Sequence, residues 1–236
     1  MSIYAISDLH LSFESQKPMN KFGNLWQEYE EKMKFNWNSL VEKNDLVLIA
    51  GDVSWATYVK DARADFGFID GLNGVKLISK GNHDYWWETI TKLNDFLKEN
   101  NFETVNFIHN TAYVYDNYVI CAAKGYDFTV EEKYRERELI RLEISLEEGL
   151  KTGKEIIVML HYPPFDEKGN LIERFNELFS KYNVKTCIYG HLHSYGHQRA
   201  VNGVINNVEF KLTSCDYLNF SPVIIRNTWI KWKYMV

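Results

Sequence analysis

The chain lacks most of what would tie it to a membrane, an oxidising compartment or a nucleic acid. No apolar run approaches the roughly 20 residues that a membrane-spanning helix needs, so no membrane partner is expected. The opening segment MSIYAIS has neither a basic n-region nor a small-residue cleavage site, and no signal peptide is read there. Cysteines number three, Cys121, Cys187 and Cys215, each in an apolar stretch. An odd number so placed fits buried thiols in a reducing compartment better than a disulfide framework, and a cytoplasmic protein is expected. Prolines number four, and no Pro/Ser-rich linker, low-complexity tract or repeat divides the 236 residues, so a single domain over 1–236 is expected. Positive charge is not in excess: 27 Lys and Arg stand against 32 Asp and Glu, a net charge of −5. That balance argues against the basic stripe of an extended nucleic-acid surface. Nothing in the sequence sets an oligomeric state.

What is present begins with apolar residues, 45% of the chain and enough for a sizeable core. Aromatic residues, 15% of the total, are read mostly as core fillers. Residues 2–7 read as a buried strand, and 24–43 carry Trp26, Tyr29, Met33, Trp37, Leu40 and Val41 at helical spacing. A strand at 46–50, a helix near 58–71, a strand at 75–79 and a helix over 85–99 follow. This β-α-β-α-β order predicts a parallel sheet with right-handed crossovers. Next come short strands at 104–108, 112–116 and 118–123. Leu139, Leu142 and Leu146 mark an amphipathic helix in a charged segment, and 125–150 could either cap a site or lie at the periphery. A strand at 155–160, a helix at 171–182 and a strand at 185–189 come next, and the tail from 196 to 234 reads as antiparallel strands turning at Asn202-Gly203 and Asn206-Asn207.

Five of the seven histidines fall in short motifs, each after a strand-like run. Asp8-Leu9-His10 follows SIYAIS, Gly51-Asp52 follows LVLIA, and Gly81-Asn82-His83-Asp84 follows VKLISK. His161 follows EIIVML, and Gly190-His191-Leu192-His193 follows KTCIY. Strand ends are where open α/β sheets bind ligands. Carboxylate, imidazole and amide donors without a thiolate suit Mn, Fe, Zn or Ni, and this many suggest more than one ion. Two divalent cations would also make the pocket locally positive despite the acidic whole. The glycines at 51, 81 and 190 fit tight turns where a side chain would crowd the backbone. His109 reads as a solvated turn residue and His197 as a surface one. Lys80, Lys124 and Arg199 read as solvated charges able to meet substrate phosphate.

The series DLH, GD, GNHD, His161 and GHLH resembles the calcineurin-like metallophosphoesterase superfamily, with all five blocks in that family's order over residues 8–193. The resemblance implies an α/β fold, a two-sheet α/β/β/α sandwich. It implies that Asp8, His10, Asp52 and His193 hold one divalent metal ion and that Asp52, Asn82, His161 and His191 hold a second, with Asp52 bridging. Two cations about 3.5–4 Å apart would share a water that loses its proton near neutral pH, and the hydroxide would attack phosphorus in line. Manganese is the first choice of metal. His83 would serve the leaving-group oxygen, and Asp84 would orient the His83 ring by accepting a hydrogen bond from it.

The implied activity is a metal-dependent phosphohydrolase acting on a small phosphodiester or phosphomonoester. Protein phosphatases of the superfamily continue G-D with Asp-Arg-Gly, whereas this chain reads GDVSWATYVKD. The chain looks closest to compact bacterial predicted phosphohydrolases with GD[IV]SWA and KGNHDYWW segments, and a serine/threonine-type phosphatase stands as the alternative. A non-catalytic protein-binding scaffold is a further alternative, disfavoured because every ligand position and His83 are intact. Trp55, Tyr85, Trp86 and Trp87 flank the metal loops, and one or two of them could stack a planar leaving group while at least one packs inward.

Overall fold

The computed structural model describes residues 1–15, 17–127 and 129–227. In the first half, strands β1 (Ser2–Ala5), β2 (Leu46–Ile49), β3 (Val75–Ile78) and β4 (Val105–Phe107) alternate with helices α1 (Tyr29–Leu40), α2 (Arg63–Asp70) and α3 (Ile90–Glu99). The second half holds β5 (Ala112–Tyr115), β6 (Tyr118–Ala123), α4 (Glu132–Leu150), β7 (Glu155–Leu160), α5 (Glu173–Lys181) and β8 (Thr186–Tyr189), then β9 (Gly203–Ile205), β10 (Val208–Leu212) and β11 (Val223–Asn227). They build a sheet of order β11-β1-β2-β3-β4 and another of order β5-β6-β7-β8-β10-β9. Strands β1 to β4 pair in parallel, as do β6, β7, β8 and β10, and the outer strands β11, β5 and β9 are antiparallel.

Period-2 alternation splits each central strand between two cores. Leu46 and Leu48 of β2 meet Ile157 and Met159 of β7 in the layer between the sheets. Val47 and Ile49 point the other way, onto Trp37, Phe66 and Leu93 of the first helical layer. Ile156, Val158 and Leu160 face Leu142, Leu146, Phe175 and Phe179 of the second. Helix, sheet, sheet and helix layers are therefore read directly from three apolar clusters, and the expected α/β/β/α sandwich is the observed fold. Helix α4 is the outer layer on β6 and β7 rather than a lid, because Leu139, Leu142 and Leu146 are buried against the sheet. The three cysteines are buried and free.

Several expectations shift. Helix α3 begins at Ile90 rather than 85, because Trp86 is drawn into the core against Phe66 and Thr89 accepts a hydrogen bond from Lys92 N–H as the N-cap. Asn206-Asn207 does form a hairpin turn, both residues having positive φ, but Asn202-Gly203 does not: Gly203 opens β9, and the Asn202 side chain holds the Leu212 N–H instead. The tail is also not one antiparallel unit, since β10 runs parallel to β8 and β11 crosses back to β1. Its expected stretch over 228–234 lies outside the described residues.

The α4–β6 contact is tight at Gly149, where a Cβ would sit 2.5 Å from Cys121 Sγ. Overpacking costs about 1–3 kcal/mol, against a helix-propensity gain of roughly 0.5–1 kcal/mol. Gly149→Ala should therefore destabilise the protein in urea unfolding. The double change with Cys121→Ala should cost less than the sum of the two single changes.

Candidate metal centre

Because both sheets are parallel at their centres and stacked, their carboxyl-end loops converge on one edge. Asp8 and His10 follow β1, Asp52 follows β2, and Asn82, His83 and Asp84 follow β3. From the other sheet His161 follows β7, and His191 and His193 follow β8. The backbone stitches the sheets together here. Ser7 N–H donates to the Thr213 carbonyl (2.7 Å) and Cys215 N–H to the Ser7 carbonyl (2.9 Å). Within each sheet, Asp8 N–H donates to the Gly51 carbonyl at 2.9 Å and Gly190 N–H to the His161 carbonyl at 3.1 Å. Asp8, His10, Asp52 and His191 all have positive φ (59°, 48°, 53° and 72°), a conformation uncommon outside glycine and typical of functional loops. A Cβ on Gly81 would overlap the Asp52 carboxylate, and one on Gly190 the Asp8 carboxylate, so neither loop tolerates a side chain.

The donor atoms fall into two groups. Asp8, His10 and His193 form one, and Asp8, Asp52 and His161 the other, with the ligand atoms of each group within 4.8 Å of one another. His193 Nε2 lies 3.2 Å from Asp8 Oδ1 and 3.2 Å from His10 Nε2. His161 Nε2 lies 3.5 Å from Asp52 Oδ2 and 2.6 Å from Asn82 Oδ1, and His191 Nδ1 is 3.0 Å from the same amide oxygen. The structure thus brings together all seven residues expected as ligands. Ala50 O accepts from His161 Nδ1–H at 2.9 Å, which leaves the Nε2 lone pair facing the carboxylate and amide oxygens. Lone pairs converging in this way are the donor set a divalent cation needs, so the residues fit a metal.

Charge explains the same geometry. Burial, reinforced by the Asp8 carboxylate, pushes the Asp52 carboxyl up to about 8. Burial also opposes charge on Asp8, but the neighbouring His193 outweighs it and holds Asp8 below the usual carboxylate range. His193 is likewise resisted by burial and still raised to about 10 by Asp8 and Asp216. Burial and then the charge of His193 lower His10 to about 3, and burial and then His161 lower His191 to about 4. Among protein atoms alone, protons do the holding that a cation would do.

Asp84 does not orient His83. Its carboxylate accepts from the N–H groups of Asp52 (2.9 Å), Val53 (2.8 Å) and Gly81 (2.7 Å) and from Trp86 Nε1 (3.1 Å), and so clamps the two loops that carry Asp52 and Asn82. Those four donors, three of them backbone, leave it turned from the His83 ring. His83 instead lies beside Trp55, ring centroids 4.7 Å apart, with Tyr85 Oη 3.4 Å from Nδ1. Trp86 packs inward at 1% exposure, while Trp55 stacks on His10. His109 is half-buried near Trp87 rather than solvated. His197 sits at the rim, 3.2 Å from Asp216, rather than on the open surface.

Asp216 is the residue that motif reading missed. It accepts from His193 Nδ1–H at 2.8 Å, fixing which nitrogen faces the metal site. Ser7 and Ser214 both donate to Asp8 Oδ2, at 2.6 and 3.0 Å. The signal was available: Thr213-Ser214-Cys215-Asp216 is a polar cluster following the strand NVEFKL, as in the other motifs.

Carboxylates and imidazoles gathered on the carboxyl edge of two stacked sheets define a candidate metal centre. Residues 1–195 match the model for calcineurin-like phosphoesterases, and the chain belongs to that family. No curated protein sequence matches it. Among solved structures it resembles the phosphopantetheinyl hydrolase PptH of Mycobacterium tuberculosis, with TM-score 0.55 and 14% identity, over 90% of this chain and 88% of that one. It is also similar to TT1561 of Thermus thermophilus (TM-score 0.54, 13% identity, 95% and 97% covered). The protein of unknown function AQ665 from Aquifex aeolicus is similar too (0.51, 16%, 94% and 95%). At these identities the likeness concerns the fold.

A carboxyl raised in the folded state contributes stability below its ordinary value and loses it as pH rises through the raised one. Below about pH 6.5 the depressed His10 and His191 work in the opposite direction, so chelator-treated protein should lose stability through Asp52, with His193 adding to the loss, as pH rises from about 6.5 to about 8. Asp52→Asn should flatten that slope in thermal melts and be no less stable than the parent in chelator. Because the proton competes with the cation, the rise in Tm on adding Mn²⁺ should grow between about pH 6 and pH 8 and be small in Asp52→Asn.

Proposed function

We propose that this protein is a two-metal phosphohydrolase that cleaves a small phosphodiester or phosphomonoester. The two donor groups meeting at one strand edge, with the Asp8 carboxylate common to both, carry this reading. Divalent cations bound there, manganese foremost, supply the positive charge that binds phosphoryl oxygens and acidifies water. Asp8 and His10 with His193, and Asn82, His161 and His191, hold them in place. Asp52 stands between, its Oδ2 3.9 Å from His10 Nε2 and 3.5 Å from His161 Nε2.

His83 stands at the open side as the leaving-group acid. Its N–H donates to Asp52 Oδ1 at 2.8 Å, which ties its loop to the ligand carboxylate while the ring rests between Trp55 and Tyr85. Burial, and after it His161, lower its pKa; a phosphate ester's negative charge beside the ring works in the opposite direction. A cavity of about 140 Å³ beside His191, lined by Tyr126, Asp127, Tyr162 and Arg199 among others, offers room for a small alcohol group. Such a size supports a small ester over a folded phosphoprotein. The phosphopantetheinyl hydrolase of similar fold makes phosphopantetheinyl esters a sensible part of a substrate panel. Three buried free thiols support a reducing compartment, the cytoplasm.

Hydrolysis of bis-p-nitrophenyl phosphate or p-nitrophenyl phosphate should be stimulated by Mn²⁺ and abolished by chelator, and no turnover of any ester with any divalent cation would refute the reading. His83→Ala should keep its metal content by elemental analysis and lose about 10²–10⁴-fold in kcat on an alkyl ester. The loss should be smaller on a nitrophenyl ester, whose leaving group needs less help.

A further inference from the structure

A second cavity, of about 190 Å³, opens between the ends of β3, β4 and β6 and the flank of α4. That is far above the roughly 10–15 Å³ that one water requires. Its walls carry four cations, Lys80, Lys124, Arg137 and Arg141, with His109 among them and a single carboxylate, Glu138. Such a concentration of positive charge is unexpected on a chain of net charge −5.

Glu138 is 4% exposed and holds the two arginines, Arg141 at 2.6 Å and Arg137 at 3.9 Å. Lys80 and Lys124 form no ion pair with a carboxylate among the described residues. Glu138 is thus the one carboxylate in a wall of four cations, and its partners are the two arginines. A half-buried group of two ammonium ions and two anchored guanidinium groups matches phosphate oxygens.

The walls of the cavity adjoin the loops of the metal centre. Lys80 immediately precedes the Gly81–Asp84 loop, and the Lys124 carbonyl accepts from His161 N–H at 3.1 Å and Tyr162 N–H at 2.9 Å. An intermediate cavity of about 250 Å³ shares Lys124, Arg137 and Glu138 with the basic one. It also shares Tyr126, Asp127 and Tyr162 with the cavity beside His191.

We propose that this basic pocket binds a second phosphate group, carried by the same substrate whose ester is cut at the metal centre. The substrate class is then a bisphosphorylated small molecule, with a spacer such as a sugar between its two phosphates. The assignment rests on the phosphoesterase reading for the ester but not for the anion site, and the two are separable. Calorimetric titration of the Mn²⁺-loaded protein with thymidine 3′,5′-bisphosphate and thymidine 5′-monophosphate is the test. The bisphosphate should bind at least about tenfold more tightly, as expected for hydrogen bonds to a charged group. In Lys80→Gln/Lys124→Gln the ratio should fall towards one. Arg137→Gln, at a half-exposed position, should lower it partway if the double variant fails to fold. Equal affinities in the parent protein, or an unchanged ratio in folded variants, would overturn the proposal. The 5′-p-nitrophenyl esters of the same two compounds give the kinetic counterpart. Whether either is hydrolysed bears on the enzymatic reading alone, and the affinity ratio decides the pocket in either case.

Discussion

Two carboxylates, Asp8 and Asp52, are buried side by side where the sheets meet, and the rest of the structure is arranged around that repulsion. Neither reaches water, so protein groups must provide what solvent would. Asp8 takes hydroxyl donors from Ser7 and Ser214 and the backbone N–H of His191, drawn from three separate segments. Asp52 takes the N–H of His83. What remains is a demand for positive charge that four imidazoles approach from both sheets, and that a divalent cation answers more fully. The left-handed backbone at Asp8, His10, Asp52 and His191 is a local cost of aiming these groups inward. It is sustained by three apolar layers, which fix the strand ends.

The distribution of tasks among the motif residues follows. Asp84, buried and four times hydrogen-bonded, is a strut between the loops after β2 and β3 and holds Asp52 and Asn82 at a fixed separation. Burial and the nearby Asp52 raise its carboxyl to about 6, and the backbone N–H groups work against that rise. His83 is held less tightly than the ligands, between Trp55 and Tyr85. That suits the leaving-group role proposed for it. Asp216 does for His193 what the Ala50 carbonyl does for His161: each receives the Nδ1 proton and leaves Nε2 to face the site.

Beside this centre the charge changes sign. The carboxylate pair belongs to the candidate ligand set, whereas Lys80 lies two residues before Asn82, and Lys124, at the end of β6, accepts the His161 N–H on its carbonyl. The candidate metal centre and the basic pocket thus sit on neighbouring strand ends, which set the spacing between them.

The strand-end motifs, the residues that gather at the candidate metal centre and the sandwich were all legible in the sequence. Apolar alternation reports burial on each face, and metal coordination demands particular side chains in particular loops. Less legible were features created by distant segments meeting. Asp84 looked like a partner for its neighbour His83, yet backbone donors 31 and 32 residues away claimed its carboxylate. Asp216 stood outside the recognised motifs until β10 aligned with β8 and carried it to His193. The basic pocket joins residues from β3, β6 and α4 whose charges look ordinary along the chain. Local sequence determines which groups are available and which face of a strand or helix they occupy. Which hydrogen bonds they make, and whether like charges gather, is decided by packing, because those energies depend on distances that exist only once the layers have closed.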